Sequence, residues 1–528
     1  MLKKTIRHFL SGYFVILLFL LLQVSFALFL QFFLDDFLIS IGAKNANTTL
    51  IALITIVLVH VISGIMAFIL FFVVIGKNDA PDFKIPWVAG LILFPILVTI
   101  VYVTFVHHEL RKKDRKNLAA NRKSYSDFVK DSNYAEPDLF DELDNAKGIF
   151  KYVNNVTSLN VYKNTKVTYY SCGEKFFPQM MEALRSAKKF IFIEFFIIAD
   201  GHLWSEVQDI LYKKKEEGVE IRMIYDDLGS SGTVSDFTAR NLRKKGIKCY
   251  KFNPFRPLLS GVYNNRDHRK IVVIDNEIGF TGGMNLGDEY GNYEIRFGYW
   301  KDTMIKIEGA AITNLIKIFL QNYGLASGEI IDFSKYLSHE YKIYDEEGYV
   351  MPFGDGPGGV DDALIGEQTY INMINNAKKE VYISTPYFIP TYSLLDSIKN
   401  AALRGIKIHL IVPGIPDKKM VYMMAKSYFS FLLASGVQIY FYTPGFNHMK
   451  TVLVDDEVAF VGTINFDYRS LVHHYECGSL LYKNPCLKDI KADFEDMISK
   501  SQIVPSTFKI RGIKRPICSF LRLFSPLL

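Results

Sequence analysis

Residues 268–285 read HRKIVVIDNEIGFTGGMN, and residues 448–465 read HMKTVLVDDEVAFVGTIN. His268, Lys270, Asp275, Gly282 and Asn285 thus recur as His448, Lys450, Asp455, Gly462 and Asn465, each pair 180 positions apart, since 448 − 268, 455 − 275 and 465 − 285 agree. Five polar or glycine positions kept in register inside β-branched runs mark a duplicated unit. A period of this length means a duplicated domain and not a solenoid of short repeats.

The segments around the motifs alternate between helix and strand patterns. In the first half, helix 177–189, strand 190–198 (FIFIEFFII), helix 203–217, strand 219–225, a helix ending at Gly246 and strand 247–252 follow one another. The second half repeats the order with helix 367–379, VYIST, helix 392–404, IKIHLIV, helix 419–434 and VQIYFY. Gly218, Gly246, Gly405 and Gly436 each stand between a helix and an apolar strand, the expected cap position. The pattern predicts an α/β class: two repeats, packed about a pseudo-twofold axis that turns the two motifs face to face.

Mean hydropathy is +0.12, and the excess lies at the start of the chain. Phe9–Leu34, Leu50–Ile75 and Ile85–Val106 are stretches of 26, 26 and 22 residues without Asp, Glu, Lys or Arg. Each exceeds the roughly 20 residues that a bilayer crossing takes, and the first is too long for a signal peptide. Residues 107–123 hold seven Lys/Arg against two acids, and 505–528 hold Lys509, Arg511, Lys514, Arg515 and Arg522 with no acid. Basic clusters beside membrane segments attract anionic lipids and set topology. The expected division is a membrane region at 1–106 with two or three transmembrane helices and a charged linker at 107–150. Repeats at 151–353 and 354–504 and a basic tail at 505–528 follow. The expected location is multi-pass in the cell membrane, with the repeats cytoplasmic. Five cysteines, odd in number and without a CxxC pair, fit a reducing compartment.

The motif residues fit one chemistry. His268 and Lys270 lie two apart on a strand and share a face, as do His448 and Lys450. Displacement at a phosphodiester needs a nucleophile, a proton donor to the leaving oxygen, and cations around the equatorial oxygens. One neutral histidine can attack to give a phosphohistidine while the other donates and then accepts the proton. Two lysines neutralise the phosphate without a metal, and no cofactor is called for. Either histidine could attack. Asp275 and Asp455 complete the candidate catalytic set by orienting strand ends or neighbouring donors. Gly282, Gly283 and Gly462 allow a close backbone approach to an oxyanion, and Asn285 and Asn465 can donate to the same oxygens. Glu289 and Glu476 are candidates to hold a histidine tautomer. Lysine beside histidine disfavours a zinc site, and His473–His474 reads as structural or substrate-facing. The run Gly354–Gly359 lacks the GK[ST] of a phosphate loop and reads as an inter-half linker. Glu194, alone in an apolar strand, could line the site.

At these residues the chain resembles the phospholipase D superfamily, whose HxKx4Dx6G[GS]xN signature both repeats carry, with Thr463 where serine is usual. It is similar in particular to bacterial cardiolipin synthases through YDDLGS, YWKDTMIKIEGAA, TPYFIPTYSLL and NFDYRSL. The resemblance implies transfer of a phosphatidyl group from one phosphatidylglycerol to another, releasing glycerol, with His268 as nucleophile and His448 as acid and base. It implies anionic membrane lipids as partners and no nucleic acid. Asp267, Met304 and His474 depart from the usual Asn, His and Asn of the family. The competing readings are a transferase using another alcohol, a phospholipase D using water, and a non-catalytic lipid-binding scaffold.

Overall fold

The computed structural model describes residues 46–77, 81–105, 112–131, 138–254, 265–337, 341–357, 363–523 and 525–527. Its contacts separate an N-terminal unit, up to His107, from a second unit that holds nearly all residues after it.

In the N-terminal unit, α1 (Ala46–Gly76) is a 31-residue helix without a charged side chain. The third apolar stretch does not form one helix. It divides into α2 (Pro81–Leu93) and α3 (Pro95–Phe105), because Pro95 has no N–H with which to continue the ladder. Helical bonds resume on both sides of the break, Phe94 N to Gly90 O at 2.7 Å and Val98 N to Phe94 O at 2.9 Å. A small core of Ala67, Val74, Leu91 and Tyr102 joins the three helices. Counting only described residues, no helix is long and apolar enough to cross a membrane. The first apolar stretch, Phe9–Leu34, lies outside the described residues.

The second unit opens with α4 (Lys112–Asp131), formed by the basic linker, and α5 (Lys147–Thr157). The first sheet is built from β1 (Lys166–Tyr170), β2 (Phe190–Phe195), β3 (Glu220–Asp226), β4 (Lys248–Phe252), β5 (Lys270–Ile274), β6 (Ile278–Gly282) and β8 (Met304–Glu308). A short β7 (Tyr299–Lys301) precedes β8. The helices α6 (Gly173–Ser186), α7 (His202–Glu216) and α8 (Thr238–Lys244) connect the early strands, and α9 (Ile312–Ser327) follows β8. The order is β1-β8-β6-β5-β2-β3-β4. Strands β2, β3 and β4 run parallel, while β5, β6 and β8 form an antiparallel meander. Both β2 and β5 are buried along their whole length, which is why, Glu194 and Lys270 apart, their sequences are apolar and not alternating.

The second sheet repeats this plan. Its strands are β9 (Tyr349–Asp355), β10 (Glu380–Ser384), β12 (Lys407–Pro413), β13 (Gln438–Tyr442), β15 (Thr451–Val454), β16 (Val458–Gly462), β18 (Glu476–Tyr482) and β19 (Ser501–Ile503). In the order β9-β18-β16-β15-β10-β12-β13-β19, the first seven take the places of β1, β8, β6, β5, β2, β3 and β4. The expected boundary at 354 falls inside β9, whose pairing with β18 starts at Tyr349. The run beginning at Gly354 is partly this strand. The Asp355 carboxylate then accepts from Gly356 N and Gly366 N, both at 2.7 Å, and so ties together the two ends of the connection.

The halves meet at the ends of their meanders. His268 N donates to Tyr475 O at 2.8 Å, and His448 N donates to Lys301 O at 2.7 Å. Each motif is therefore tied by its histidine backbone to the other half, at the residue just before that half's Glu476 or Asp302. This reciprocity is what a pseudo-twofold axis produces.

Candidate active site

The histidines and lysines stand where β5 and β15 begin. His268, Lys270, His448 and Lys450 are all buried, and two buried ammonium groups require nearby negative charge. The fold supplies it crosswise. Glu476, at the start of β18 in the second half, lies 2.9 and 3.0 Å from Nδ1 of His268. Asp302, just before β8 in the first half, lies 2.6 Å from Nδ1 of His448 and 3.7 Å from Nζ of Lys450.

The two carboxylates occupy equivalent places. Gly282 pairs with Met304 and Gly462 with Gly478, so Asp302 and Glu476 each stand two residues before the partner of the motif glycine. Glu476 was in the sequence-based candidate set. Asp302 was not, although it lies in the family-like segment YWKDTMIKIEGAA; the strand alignment with Glu476 is the signal that finds it. Glu289, the expected counterpart, lies instead 3.8 Å from Arg296.

Thr463, in place of the usual serine, donates its hydroxyl to Glu476 and accepts from Cys477 N at 2.9 Å. At the matching position Gly283 leaves space that the Asp302 carboxylate fills, since a Cβ there would collide with it. A Cβ on Gly282 would meet Met304 Cα at 2.7 Å, and one on Gly462 would meet Cys477 O at 2.5 Å. These glycines admit the neighbouring strand that bears the carboxylate. The sequence analysis had assigned them to the phosphate.

Electrostatics follow from burial. The His268 imidazole is pushed well below its ordinary value of 6.5 by loss of water and by Lys270, against the pull of Glu476. His448 falls to about 4 through burial and the ammonium of Lys450, against Asp302. Burial also draws Lys270 down to about 7 and Lys450 to about 8. Burial alone would raise both carboxyls, but His268 and His474 hold Glu476 low, and Lys450 and His448 hold Asp302 low. The direction that fits both members of each pair is an ionised carboxylate accepting Nδ1–H from a neutral imidazole. Each Nε2 then carries a free lone pair.

Asp267 precedes His268 where Asn447 precedes His448. Both side chains accept from the backbone two residues on, Arg269 N at 3.3 Å and Met449 N at 3.2 Å. Burial and the facing Glu194 push the Asp267 carboxyl well above its ordinary range. Glu194 is thereby used: it shares Asn322 with Asp267, at 2.5 and 2.9 Å.

The signature aspartates are not brought to the imidazoles. Asp275 accepts from the backbone N–H groups of Lys188, Lys189 and Phe190 at 2.7–2.9 Å. Asp455 accepts from Lys378, Lys379 and Glu380 in the same manner, at 2.7–2.9 Å. Each lies five residues beyond its lysine along a strand that rises about 3.3 Å per residue, hence about 16 Å away. They fasten the far end of the motif strand to the preceding helix–strand turn. Asn285 donates to Tyr290 OH at 2.6 Å and accepts from Ile197 N at 3.0 Å, while Asn465 donates to Ser470 Oγ at 3.0 Å. Both asparagines brace the loops behind the site.

Aromatic rings wall the two imidazoles. Phe196 lies 5.0 Å from His268, while Tyr290, Trp300 and Phe446 lie 5.5–5.6 Å from His448. His268, His474 and Glu476 also bring donor atoms within 4.8 Å of one another, a set with the ligand chemistry for a divalent ion. The ammonium of Lys270 beside His268 opposes a dication there.

Two reciprocal His–carboxylate pairs with two buried lysines, on a doubled α/β fold, define the phospholipase D type of site. Residues 180–313 and 370–498 match the model of the cardiolipin synthase, PLD-like domain family. A cardiolipin synthase 2 of Bacillus anthracis is 34% identical over 88% of this chain and 90% of its own length. A cardiolipin synthase of Halalkalibacterium halodurans is 33% identical over 90% and 93%. An uncharacterized protein of Streptococcus mutans serotype c is 41% identical over 84% and 96%. Among solved structures, a phosphatidylserine synthase of Haemophilus influenzae shares the fold with a TM-score of 0.53 at 16% identity, over 72% of this chain and 98% of that one. The chain belongs to the cardiolipin synthase family of the phospholipase D superfamily.

Proposed function

We propose that this protein is a phosphatidyltransferase that joins two phosphatidylglycerol molecules into cardiolipin, releasing glycerol. The reading rests on one observation above all: each histidine is held through Nδ1 by a buried carboxylate from the opposite half, beside a buried lysine. Both Nε2 atoms are thereby available to a single phosphodiester.

In this mechanism His268 Nε2 attacks phosphorus, and the bond from phosphorus to the glycerol oxygen breaks as that oxygen takes a proton from His448. The hydroxyl of a second phosphatidylglycerol then gives its proton to His448 and attacks the phosphohistidine, and the P–N bond breaks. Lys270 and Lys450 neutralise the equatorial oxygens. The side chains of the site balance two ammonium groups against Asp302 and Glu476. A bound phosphodiester adds one negative charge, which offsets Lys450 and lets His448 take up the proton it must donate.

The setting we propose is the membrane. The apolar stretch Phe9–Leu34, 26 residues without a charge, supports a crossing, since roughly 20 residues are enough. The basic residues 107–123 support an orientation with the repeats on the cytoplasmic side. Feeding labelled phosphatidylglycerol to the purified protein should yield cardiolipin and glycerol. Phosphatidic acid as the sole product would instead identify a hydrolase. His268→Ala and His448→Ala should each stop exchange, and activity surviving either change would undo the two-histidine scheme.

A further inference from the structure

The end of the chain folds into α14 (Lys514–Leu523), which packs on α12 (Lys419–Leu433). Its inward side is fixed by two contacts. Cys518 is 1% exposed with Sγ 3.7 Å from Met423 O, and the Arg522 guanidinium lies 4.1 Å over the Tyr428 ring. Its other side is apolar and open: Ile513 is 77% exposed, and Ile517 and Phe520 follow at 43% and 51%. Positions 513, 517 and 520 fall within one narrow stripe at 100° per residue.

Charge surrounds the stripe. Lys514 and Arg515 are exposed on the same helix, Lys509 and Arg511 precede it, and 505–528 contains no Asp or Glu. Lys514 also faces Lys426 of α12, and burial together with this neighbour lowers the Lys426 ammonium. A local excess of positive charge around protruding apolar side chains matches a surface with anionic headgroups over hydrocarbon. Another protein would need acidic groups around an apolar hollow to match it. The helix is also anchored close to the site: just beyond it Ser525 is buried, and Pro526 O lies 3.4 Å from Nε2 of His473, beside His474.

We propose that α14 is a membrane-docking helix that lies on an anionic bilayer, with Ile513, Ile517 and Phe520 inserted and Lys509, Arg511, Lys514 and Arg515 supplying positive charge for the headgroups. The inference deepens the proposed reaction by naming the surface on which the lipid-using half rests. Its test does not require turnover.

The full chain carrying His268→Ala, which cannot react, is placed in nanodiscs of phosphatidylcholine alone or with an equal share of phosphatidylglycerol, and amide hydrogen exchange of 513–523 is followed. Exchange should slow in the anionic discs. Each of Lys514→Gln and Arg515→Gln should weaken that protection about fivefold, and added salt should weaken it further. Equal exchange in the two discs would overturn the proposal. So would protection that appears in detergent as protein concentration rises, since it would make the stripe an interface between copies. Parent protein that makes no cardiolipin while α14 is still protected would refute the reaction and leave the docking helix standing.

Discussion

Asp302→Asn removes a charge while nearly keeping a shape, so it isolates what the crossed carboxylate does. Asp302 is buried, 2.6 Å from Nδ1 of His448 and 3.7 Å from Nζ of Lys450. Removing one partner of a buried pair and leaving the other charged costs roughly 3–5 kcal/mol. At about 1.36 kcal/mol per pKa unit, that is about two units or more. Lys450, already drawn down to about 8, then becomes neutral at pH 7. The site would lose an ammonium meant for the equatorial oxygens, and His448 would face a neutral amide in place of a charged acceptor. If the whole cost appears in the transition state, kcat/KM falls on the order of 10²–10⁴-fold. Release of labelled glycerol gives the rate, and thermal melting of the same samples shows whether the fold survives.

Asp275→Asn is the control. The carboxylate of Asp275 anchors three backbone N–H groups, and the residue sits at φ 53°, a conformation asparagine tolerates. It should lower the melting temperature while the folded fraction keeps its rate. Asp302→Asn within tenfold of the parent would refute the reasoning, as would Asp275→Asn losing the rate with its melting curve unchanged.

Two further outcomes follow from the same groups. Lys270 and Lys450 must be ammonium ions to act, and they lose protons near pH 7 and 8. As kcat/KM reports the free enzyme, it should be about halved by pH 7, fall about tenfold per unit above that, and fall more steeply beyond pH 8; a profile flat to pH 9 would remove the lysines from the mechanism. A chelator should leave turnover unchanged, whereas a rate lost to chelator and restored by zinc would put an ion on His268, His474 and Glu476.

Much of this was open to reading in the chain itself. The doubled motif and the alternation of helix and strand predict two similar sheets, because buried strands such as FIFIEF and KIVVI are apolar except for the single residues Glu194 and Lys270. The motif lysines and histidines could be placed on one face from their spacing alone. What stayed hidden was the pairing. His268 finds its carboxylate 208 residues away and His448 finds its own 146 residues away, each on the opposite half. Local periodicity carries no information about such contacts, and a search confined to one repeat puts Glu289 where Asp302 belongs. The third apolar stretch misled differently, since hydropathy does not register that Pro95 interrupts the helix.

The roles of Asp275 and Asp455 were deducible and show how a motif can mislead. Membership in the signature suggests chemistry, but five residues of extended chain carry each carboxylate about 16 Å from its lysine. The two acids that do touch the histidines lie outside the signature, on the strand that pairs with its glycine. A half on its own therefore holds an imidazole and an ammonium without the counter-charge that burial demands. Glu476 serves His268 only when the second half is docked, and Asp302 serves His448 only when the first is. Duplication is thus a condition for charge balance in the site as well as a source of a second catalytic group, because the docking that buries the lysines also delivers the acids that let them stay charged.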